Sequence, residues 1–409
     1  MARLNQQIKI TALPAILREF LKDETTGGKL ILIAALAALF VTNIAWQRGY
    51  ENLWHTHLSI GLGNWSLTQD LREWVNEGLM TIFFLVVGLE IKREIVSGEL
   101  KALKVAILPI GAAIGGMVIP ALLYLTLNAG QAGANGWGIP MATDIAIAVG
   151  LLMLLGKRVP SKLKIFLLTL AIADDIGAII VIAIFYNQQV NAYALLGAAA
   201  IGLAILLLVR TRYMNTPLFV VLGICLWLAM HRTGISASIT GVILGLLAPL
   251  LPTKTHKHPI AVHLERSLLP AATFIVVPLF VFANAGVAFT TGAFQEPGTL
   301  LTAMGIVLGL VVGKVVGITG ATWLVVKLKL GRLPSGTTWH QFIGIGFLAG
   351  VGFTISIFIT ELAFGADRDL VNAAKIGIFI GSVASAALGL YSLKKTTAET
   401  AKTKRKVAL

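Results

Sequence analysis

Charged residues are scarce in this chain, at 13% against 56% hydrophobic residues. A soluble domain of this length could not hide that much apolar surface from water, so a bilayer is the natural solvent. The single cysteine, Cys225, excludes an intramolecular disulfide and any CxxC zinc or redox site. We therefore expect an all-α membrane protein with no cofactor.

A cleavable signal peptide is also missing, because residues 1–27 carry four basic residues and no long apolar core. We read 1–27 as a cytoplasmic N-terminal segment and 394–409 as a basic cytoplasmic tail. Residues 28–393 form one predicted transmembrane domain. Its apolar stretches of about 17 or more residues suffice to cross a bilayer about 30 Å thick. They predict twelve spans, near 28–47, 73–91, 106–127, 138–156, 165–186, 192–209, 217–230, 235–251, 268–288, 300–326, 341–360 and 371–392.

The net charge of +14 would suit a nucleic-acid-binding protein or a membrane protein with positive cytoplasmic loops. With the N-terminus inside, 27 of the 33 lysines and arginines fall on the inner side. This asymmetry predicts a multi-pass membrane protein with both termini in the cytoplasm. No nucleic acid is needed to explain the charge.

Strand-like alternation occurs only in the outer segment between the first two spans. Leu58, Ile60 and Leu62 alternate before Gly63-Asn64, which predicts a small periplasmic β-hairpin over 58–67. An isolated hairpin is marginally stable, so we expect it to pair with a second copy in a homodimer.

Apart from residues at span edges, such as Lys375, six ionisable residues fall inside predicted spans, where each costs about 2.5–3.5 kcal/mol on insertion scales. Counting along the helices from their cytoplasmic ends places Asp144, Asp174 and Lys314 roughly 15–20 Å deep, near the midplane. Such residues are functional by default. The six are Glu77, Glu90, Asp144, Asp174, Asp175 and Lys314.

Glu90 and Glu77 lie in different neighbourhoods of the second span. Glu90 is close to Lys92 at the cytoplasmic rim, where it is either part of a solvated helix end or functional. Glu77, towards the outer end, is interpreted as structural.

Asp174 and Asp175 are adjacent in one helix and therefore point about 100° apart. One can neutralise a buried cation while the other binds an ion. Burial and mutual repulsion favour proton uptake by the pair, and carboxylate oxygens suit a hard cation such as sodium. Proton and sodium would then compete for one site. The alternative is a purely structural role, in which Asp174 only pairs with Lys314 to hold two helices together.

Two spans contain Gly/Pro-rich breaks at midplane depth, 138–144 in the fourth and 350–354 in the eleventh. Broken helices are tolerated there only where protein or a water-filled cavity surrounds the freed backbone. If the two cross, half-helix ends confront each other, and Asp144 and Lys314 are suited to compensate their dipoles. A pair of interrupted spans is also typical of an inverted-repeat transporter.

Five motifs in this order resemble the NhaA-type sodium/proton antiporter family, and the likeness runs from about residue 25 to 393. They are 83–94 (FFLVVGLEIKRE), 142–146 (ATDIA), 173–177 (ADDIG), 282–286 (FANAG) and 350–354 (GVGFT). The resemblance implies twelve spans, inverted repeats of spans three to five and ten to twelve, and two broken, crossing helices. It also implies electrogenic exchange of internal sodium or lithium for external protons, so that the partners are the transported ions and membrane lipid.

The resemblance implies roles for individual residues. Asp175 matches the main cation ligand and Asp174 its partner, which exchanges between a proton and Lys314. Asp144 and Thr143 match the helix crossing. The cytoplasmic pH-sensing cluster corresponds to Glu90, Arg93, Glu94 and Glu265.

One position departs from the family pattern. Members often carry a histidine, linked to the pH response, at the start of the eighth span, where this chain has Ser236. His263, before Glu265, is a candidate replacement, although a lone loop histidine is more often simply solvated.

Two alternatives belong to other functional classes. An intramembrane aspartyl protease also uses two buried aspartates, but its Tyr-Asp and Gly-x-Gly-Asp signatures are absent and it has no use for Lys314. Another inverted-repeat carrier or a channel would be expected to have an apolar or larger organic-anion pocket. The midplane acids instead favour a cation as the transported ion.

Overall fold

The structure, a computed structural model, describes residues 26–44, 46–62, 65–156, 159–187, 189–252, 259–288, 294–365 and 367–407. Most of these residues are helical. The predicted N-terminal segment up to residue 25 and the end of the basic tail lie outside the described residues.

Fourteen helices and two strands are numbered here in chain order. Helices α3, α10 and α11 each contain a π-helical turn, which divides them into consecutive parts. The bounds are α1 Thr26–Ile44, α2 Gln47–Trp54, β1 His57–Leu62, β2 Trp65–Asp70, α3 Leu71–Glu73, Trp74–Leu79 and Met80–Ser97, α4 Leu103–Asn128, α5 Ile145–Leu154, α6 Ser161–Phe185, α7 Ala192–Arg210, α8 Thr216–His231, α9 Ile239–Leu247, α10 Ile260–Ala271, Ala272–Val276 and Val277–Asn284, α11 Thr299–Leu308, Gly309–Gly313 and Lys314–Lys327, α12 Trp339–Ala349, α13 Phe353–Phe364 and α14 Arg368–Val407. Two 3₁₀ segments, Glu99–Lys101 and Ala132–Met141, precede α4 and α5.

Within the described residues, seven helices are long and apolar enough to cross a membrane, or up to nine if each bent pair counts as one span. The chain is therefore a polytopic membrane protein. The helices at the second, seventh and eighth predicted spans are charged or short: α8 has 16 residues and α9 only nine. Twelve spans thus remain a prediction.

Both predicted helix breaks are present. The 3₁₀ segment Ala132–Met141 and α5 meet at a bend of 46°, and so do α12 and α13. Pro140 lies in the first pair, and Gly350 and Gly352 lie at the break of the second. Proline removes a backbone donor and glycine gives up helix propensity, so each helix ends where the sequence predicted.

Small residues bring the functional helices into close contact. A Cβ added to Gly115 on α4 would lie 2.3 Å from the carbonyl oxygen of Gly317 on α11. Such small-residue contacts drive helix association in lipid, where apolar burial gives no preference for protein over lipid. Because Gly317 is one turn from Lys314, this contact fixes the part of α11 that carries the buried lysine.

Strands β1 and β2 pair antiparallel, from His57 opposite Asp70 to Leu62 opposite Trp65. This agrees with the predicted pairing. The Gly63-Asn64 turn lies outside the described residues, so the hairpin turn stays a prediction.

Candidate functional site

The two broken helices meet through their exposed backbone. The amide of Asp144 donates to the carbonyl oxygen of Val351 at 2.6 Å. The hydroxyl of Thr143 donates to the carbonyl oxygen of Ala349 at 2.8 Å. Gly352 is required at this contact, because a Cβ there would lie 2.7 Å from the Ala142 carbonyl oxygen. Each break thus satisfies backbone groups that the other leaves free.

The Asp144 carboxylate lies between the N-termini of two half-helices. It caps α5 by accepting from the amide of Ile147 at 3.0 Å. It also accepts from the amide and the hydroxyl of Thr354, on the first turn of α13, at 3.2 and 2.7 Å. Helix N-termini carry partial positive charge, so this anion compensates both. Thr354 was not among the residues singled out from the sequence, although it ends the second break motif.

The Lys314 side chain lies near the carbonyl end of α12. Its ammonium donates to the Asp174 carboxylate at 2.6 Å and to the Thr143 hydroxyl at 3.0 Å. Because that hydroxyl donates in turn to Ala349, the last residue of α12, the lysine is linked to the carbonyl end of a half-helix. Lys314 and Asp174 are 0% and 1% exposed. The ion pair is therefore fully buried at the crossing.

Asp175 is adjacent to this pair but forms no ion pair with a basic group among the described residues. Its side chain is buried, and its nearby charges are mostly the carboxylates of Asp174, Glu90 and Asp144. Within the described part of the chain, Oδ1 of Asp175 and Oδ1 of Asp174 accept no hydrogen bond. A buried polar atom without a partner costs about 1–3 kcal/mol. Two such oxygens on neighbouring residues form a site suited to a small cation or a proton.

The predicted cytoplasmic cluster is brought together at the end of α3. Arg93 forms an ion pair with Glu265 on α10, and Glu90 interacts electrostatically with Arg93, Glu94 and Glu265. Glu94 accepts from the amide of Glu99 at 3.0 Å. His263 is exposed. The four residues of the predicted cluster therefore lie close together, with Glu90 partly buried among them.

Glu77 belongs to another part of the molecule, about 20 Å from Glu90 along α3. Its carboxylate accepts from the Ser236 hydroxyl at 3.0 Å and from the Ser238 amide at 3.2 Å. The position where the family often has histidine thus contacts this glutamate. Ser236 and Ser238 precede α9, and Glu77 is in α3. All three lie on the side of the molecule that carries the strands.

A second buried ion pair was missed. Lys375 was expected at a span edge, and neither its burial nor its pairing with Glu361 was predicted. Lys375 on α14 is 5% exposed and lies 2.6 Å from Glu361 on α13, which is 11% exposed. The predicted eleventh span ended at residue 360, one position short, so no pattern in either helix alone marked Glu361 as buried.

Comparison with known proteins gives consistent matches along the chain. The family model described as Na+/H+ antiporter 1 matches residues 18–393. A protein named sodium/proton antiporter NhaA 2 from Clostridium beijerinckii is 44% identical over 377 residues, covering 92% of this chain and 93% of the relative. Proteins named sodium/proton antiporter NhaA from Escherichia coli O1:K1 and Shigella dysenteriae serotype 1 are each 44% identical over 382 residues, covering 92% of this chain and 97% of the relative.

Proposed function

The chain belongs to the Na+/H+ antiporter 1 family, a family of transporters rather than enzymes, and on that premise we propose that it exports sodium or lithium ions in electrogenic exchange for external protons. The observation that carries the proposal is the buried Lys314–Asp174 pair beside Asp175, whose carboxylate has no cation. The transported ions are the substrates, and no cofactor takes part.

Asp175 is the main cation ligand. Its deprotonated carboxylate supplies the anionic oxygen that a hard cation prefers, and Asp174 supplies a second one on the same helix. No group of three or more His, Cys, Asp or Glu residues is arranged to hold a metal ion in the described part of the chain. The remaining donors for a dehydrated sodium ion are therefore hydroxyl, carbonyl or water oxygens.

Asp174 acts as a switch. In the structure its carboxylate binds the Lys314 ammonium, and we assign a second state in which the same carboxylate binds a proton. Proton and sodium then compete for the aspartate pair, and a site that never holds both couples their movements. Exchange follows once access alternates between the two sides of the membrane.

Alternating access is assigned to the crossing of the broken helices. Asp144 and Thr143 hold the half-helix ends together through the contacts described above. Carriers with such interrupted helices are built from inverted repeats that rock around a midplane site. We place the repeats at spans three to five and ten to twelve of a twelve-span fold.

Regulation by pH is assigned to Glu90, Arg93, Glu94 and Glu265, which lie together at one end of α3 and α10. Proton uptake by the glutamates would weaken the Arg93–Glu265 attraction and change how the two helices contact each other. The excess of basic residues in the predicted inner loops places this end at the cytoplasm.

We further propose that the protein is a multi-pass protein of the bacterial inner membrane with both termini in the cytoplasm. The transporter domain is residues 28–393, between the segment 1–27 and the basic tail 394–409. Strands β1 and β2 lie at the periplasmic surface and support a homodimer, because a two-stranded sheet leaves edges free for pairing.

The test is replacement of Asp175 with asparagine. Sodium-dependent proton release should be lost in everted vesicles, measured by fluorescence dequenching in a pH gradient with sodium, lithium and potassium. Asp369→Asn, which removes an exposed carboxylate on α14, is the matched control and should behave like the wild type. Unchanged exchange by Asp175→Asn protein, inserted at normal levels, would refute the assignment.

A further inference from the structure

A cavity of about 1020 Å³ opens on the side of the molecule that carries the strands. Its wall includes β2, the start of α3, the end of α8, and residues 361–365, 367 and 368 around the end of α13. Glu77, Ser236 and Phe358 are among the lining residues. The cavity is thus separate from the aspartate pair, and it brings the outer surface to the partly buried carboxylate of Glu77.

Glu77 differs from the other acidic groups around this cavity. Its carboxylate accepts from the Ser236 hydroxyl and the Ser238 amide, and no described cation forms an ion pair with it. The other acidic residues facing the cavity are Asp70, Glu73, Glu361 and Asp367. Glu361 is paired with Lys375.

The basic groups facing the cavity are directed elsewhere. Arg72 pairs with Glu51 at 3.1 Å, Arg368 lies 3.8 Å from Glu361, and His231 stacks on Trp227. Glu77 is therefore stabilised as an anion only by hydrogen-bond donors, whereas a proton would neutralise it.

The cavity wall also contains polar atoms without partners. Gln69 is 7% exposed, and its Oε1 accepts no hydrogen bond from the described residues. The side-chain oxygen of Asn187 is in the same situation. Buried acceptors of this kind are normally satisfied by ordered water. Their positions in the wall indicate a hydrated cavity, through which a proton can reach Glu77.

An aromatic layer of three rings borders the cavity through Phe358. The ring of Phe358 lies 5.2 Å from that of Phe84 and 6.2 Å from that of Phe280, centroid to centroid. Seven residues, about 10 Å of helix, separate Glu77 from Phe84 on α3. Glu77 is thus on the outer side of this layer and the aspartate pair lies beyond it.

From this geometry we propose that Glu77, with Ser236, is a proton-binding site on the outer side, loaded from the cavity before the proton reaches Asp174 and Asp175. The inference rests on the proposed exchange and names the carboxylate that serves its external proton branch. Ser236 donates to the ionised form and so sets how readily Glu77 takes up a proton.

Right-side-out vesicles loaded with labelled sodium test the proposal, with the exit rate measured against external pH. Glu77→Gln keeps the size of the side chain and one acceptor oxygen for the two serine donors, but it cannot bind the proton. It should raise the external proton concentration for half-maximal rate about tenfold, one pH unit. Ser236→Ala removes a donor to the anion and should lower that concentration about tenfold.

Two further measurements exclude a merely structural effect. In everted vesicles the half-saturating cytoplasmic sodium concentration should stay within about twofold of wild type for both variants, since neither touches the aspartate pair. Glu73→Gln, an exposed carboxylate on the same cavity, is the matched control and should shift the external profile little.

Infrared difference spectra of the detergent-solubilised protein, between mildly acidic and mildly alkaline buffer, read Glu77 directly. A protonated-carboxyl band should vanish in Glu77→Gln. If that band persists, if the external profile does not move, or if the cytoplasmic profile moves equally, the proposal is wrong. A wild type that exchanges no sodium would refute the proposed function instead, and the infrared band would still decide whether Glu77 takes up a proton.

Discussion

Replacement of Asp174 with asparagine should destabilise the protein as well as stop transport. The variant leaves the Lys314 ammonium, which is 0% exposed, without an anion. Its one remaining described partner is the neutral Thr143 hydroxyl at 3.0 Å. Removing one partner of a buried ion pair costs about 3–5 kcal/mol, because the other charge stays buried and uncompensated.

A surface ion pair provides the scale for this effect. Arg93, which pairs with Glu265, is 47% exposed, and exposed pairs contribute about 0–1 kcal/mol. Arg93→Gln should therefore change stability far less than Asp174→Asn, although both remove one member of a pair. The double variant Asp174→Asn/Lys314→Met replaces both charges with neutral groups and should recover much of the loss.

Thermal unfolding of the purified protein in one detergent, followed by tryptophan fluorescence, measures all four proteins. The expected order of midpoints is wild type and Arg93→Gln highest, the double variant next and Asp174→Asn lowest. If Asp174→Asn unfolded at the wild-type midpoint, the ion pair would not stabilise the crossing. If the double variant were no more stable than the single one, the loss would not come from the unpaired lysine.

Three further outcomes are expected. Glu361→Gln should lower the unfolding midpoint by leaving Lys375 buried and unpaired, and Glu361→Gln/Lys375→Met should be the more stable of the two; equal midpoints would contradict this. Thr354→Val should cost about 1.5–3 kcal/mol because it removes a hydroxyl bond to a buried carboxylate, while Thr354→Ser should not; equal losses in chemical unfolding would count against it. Deletion of 58–67 should separate the protomers in cross-linking, and undiminished association would exclude the strands as the dimer contact.

The depth of the charged residues could be predicted from the sequence because it depends only on counting along helices. Asp144, Asp174 and Lys314 each lie at a countable distance from a charged helix end, and the structure brings all three to one crossing. The breaks were predictable for a similar reason, since glycine and proline act locally on the backbone. The angle of about 100° between the side chains of Asp174 and Asp175 was predictable in the same way, because it follows from their adjacency in one helix.

Contacts between helices distant in sequence were not predictable in this way. Glu361 and Lys375 belong to separate helices and are buried only because those helices pack together. Thr354 was read as part of a glycine-rich break, and its two bonds to Asp144 depend on how the breaks cross. The short α9 was overestimated because apolar residues continue past its last helical residue.

The crossing also explains why a threonine precedes Asp144. Its hydroxyl accepts from Lys314 and donates to the carbonyl of Ala349, so one side chain joins the buried amine to the end of α12. Asp144, the next residue, joins the starts of α5 and α13. Two neighbouring residues therefore connect the negative end of α12 with the positive ends of α5 and α13. In the exchange proposed above, a proton on Asp174 removes the anion paired with Lys314. We propose that this change in α6 reaches the half-helices through the Lys314–Thr143 contact.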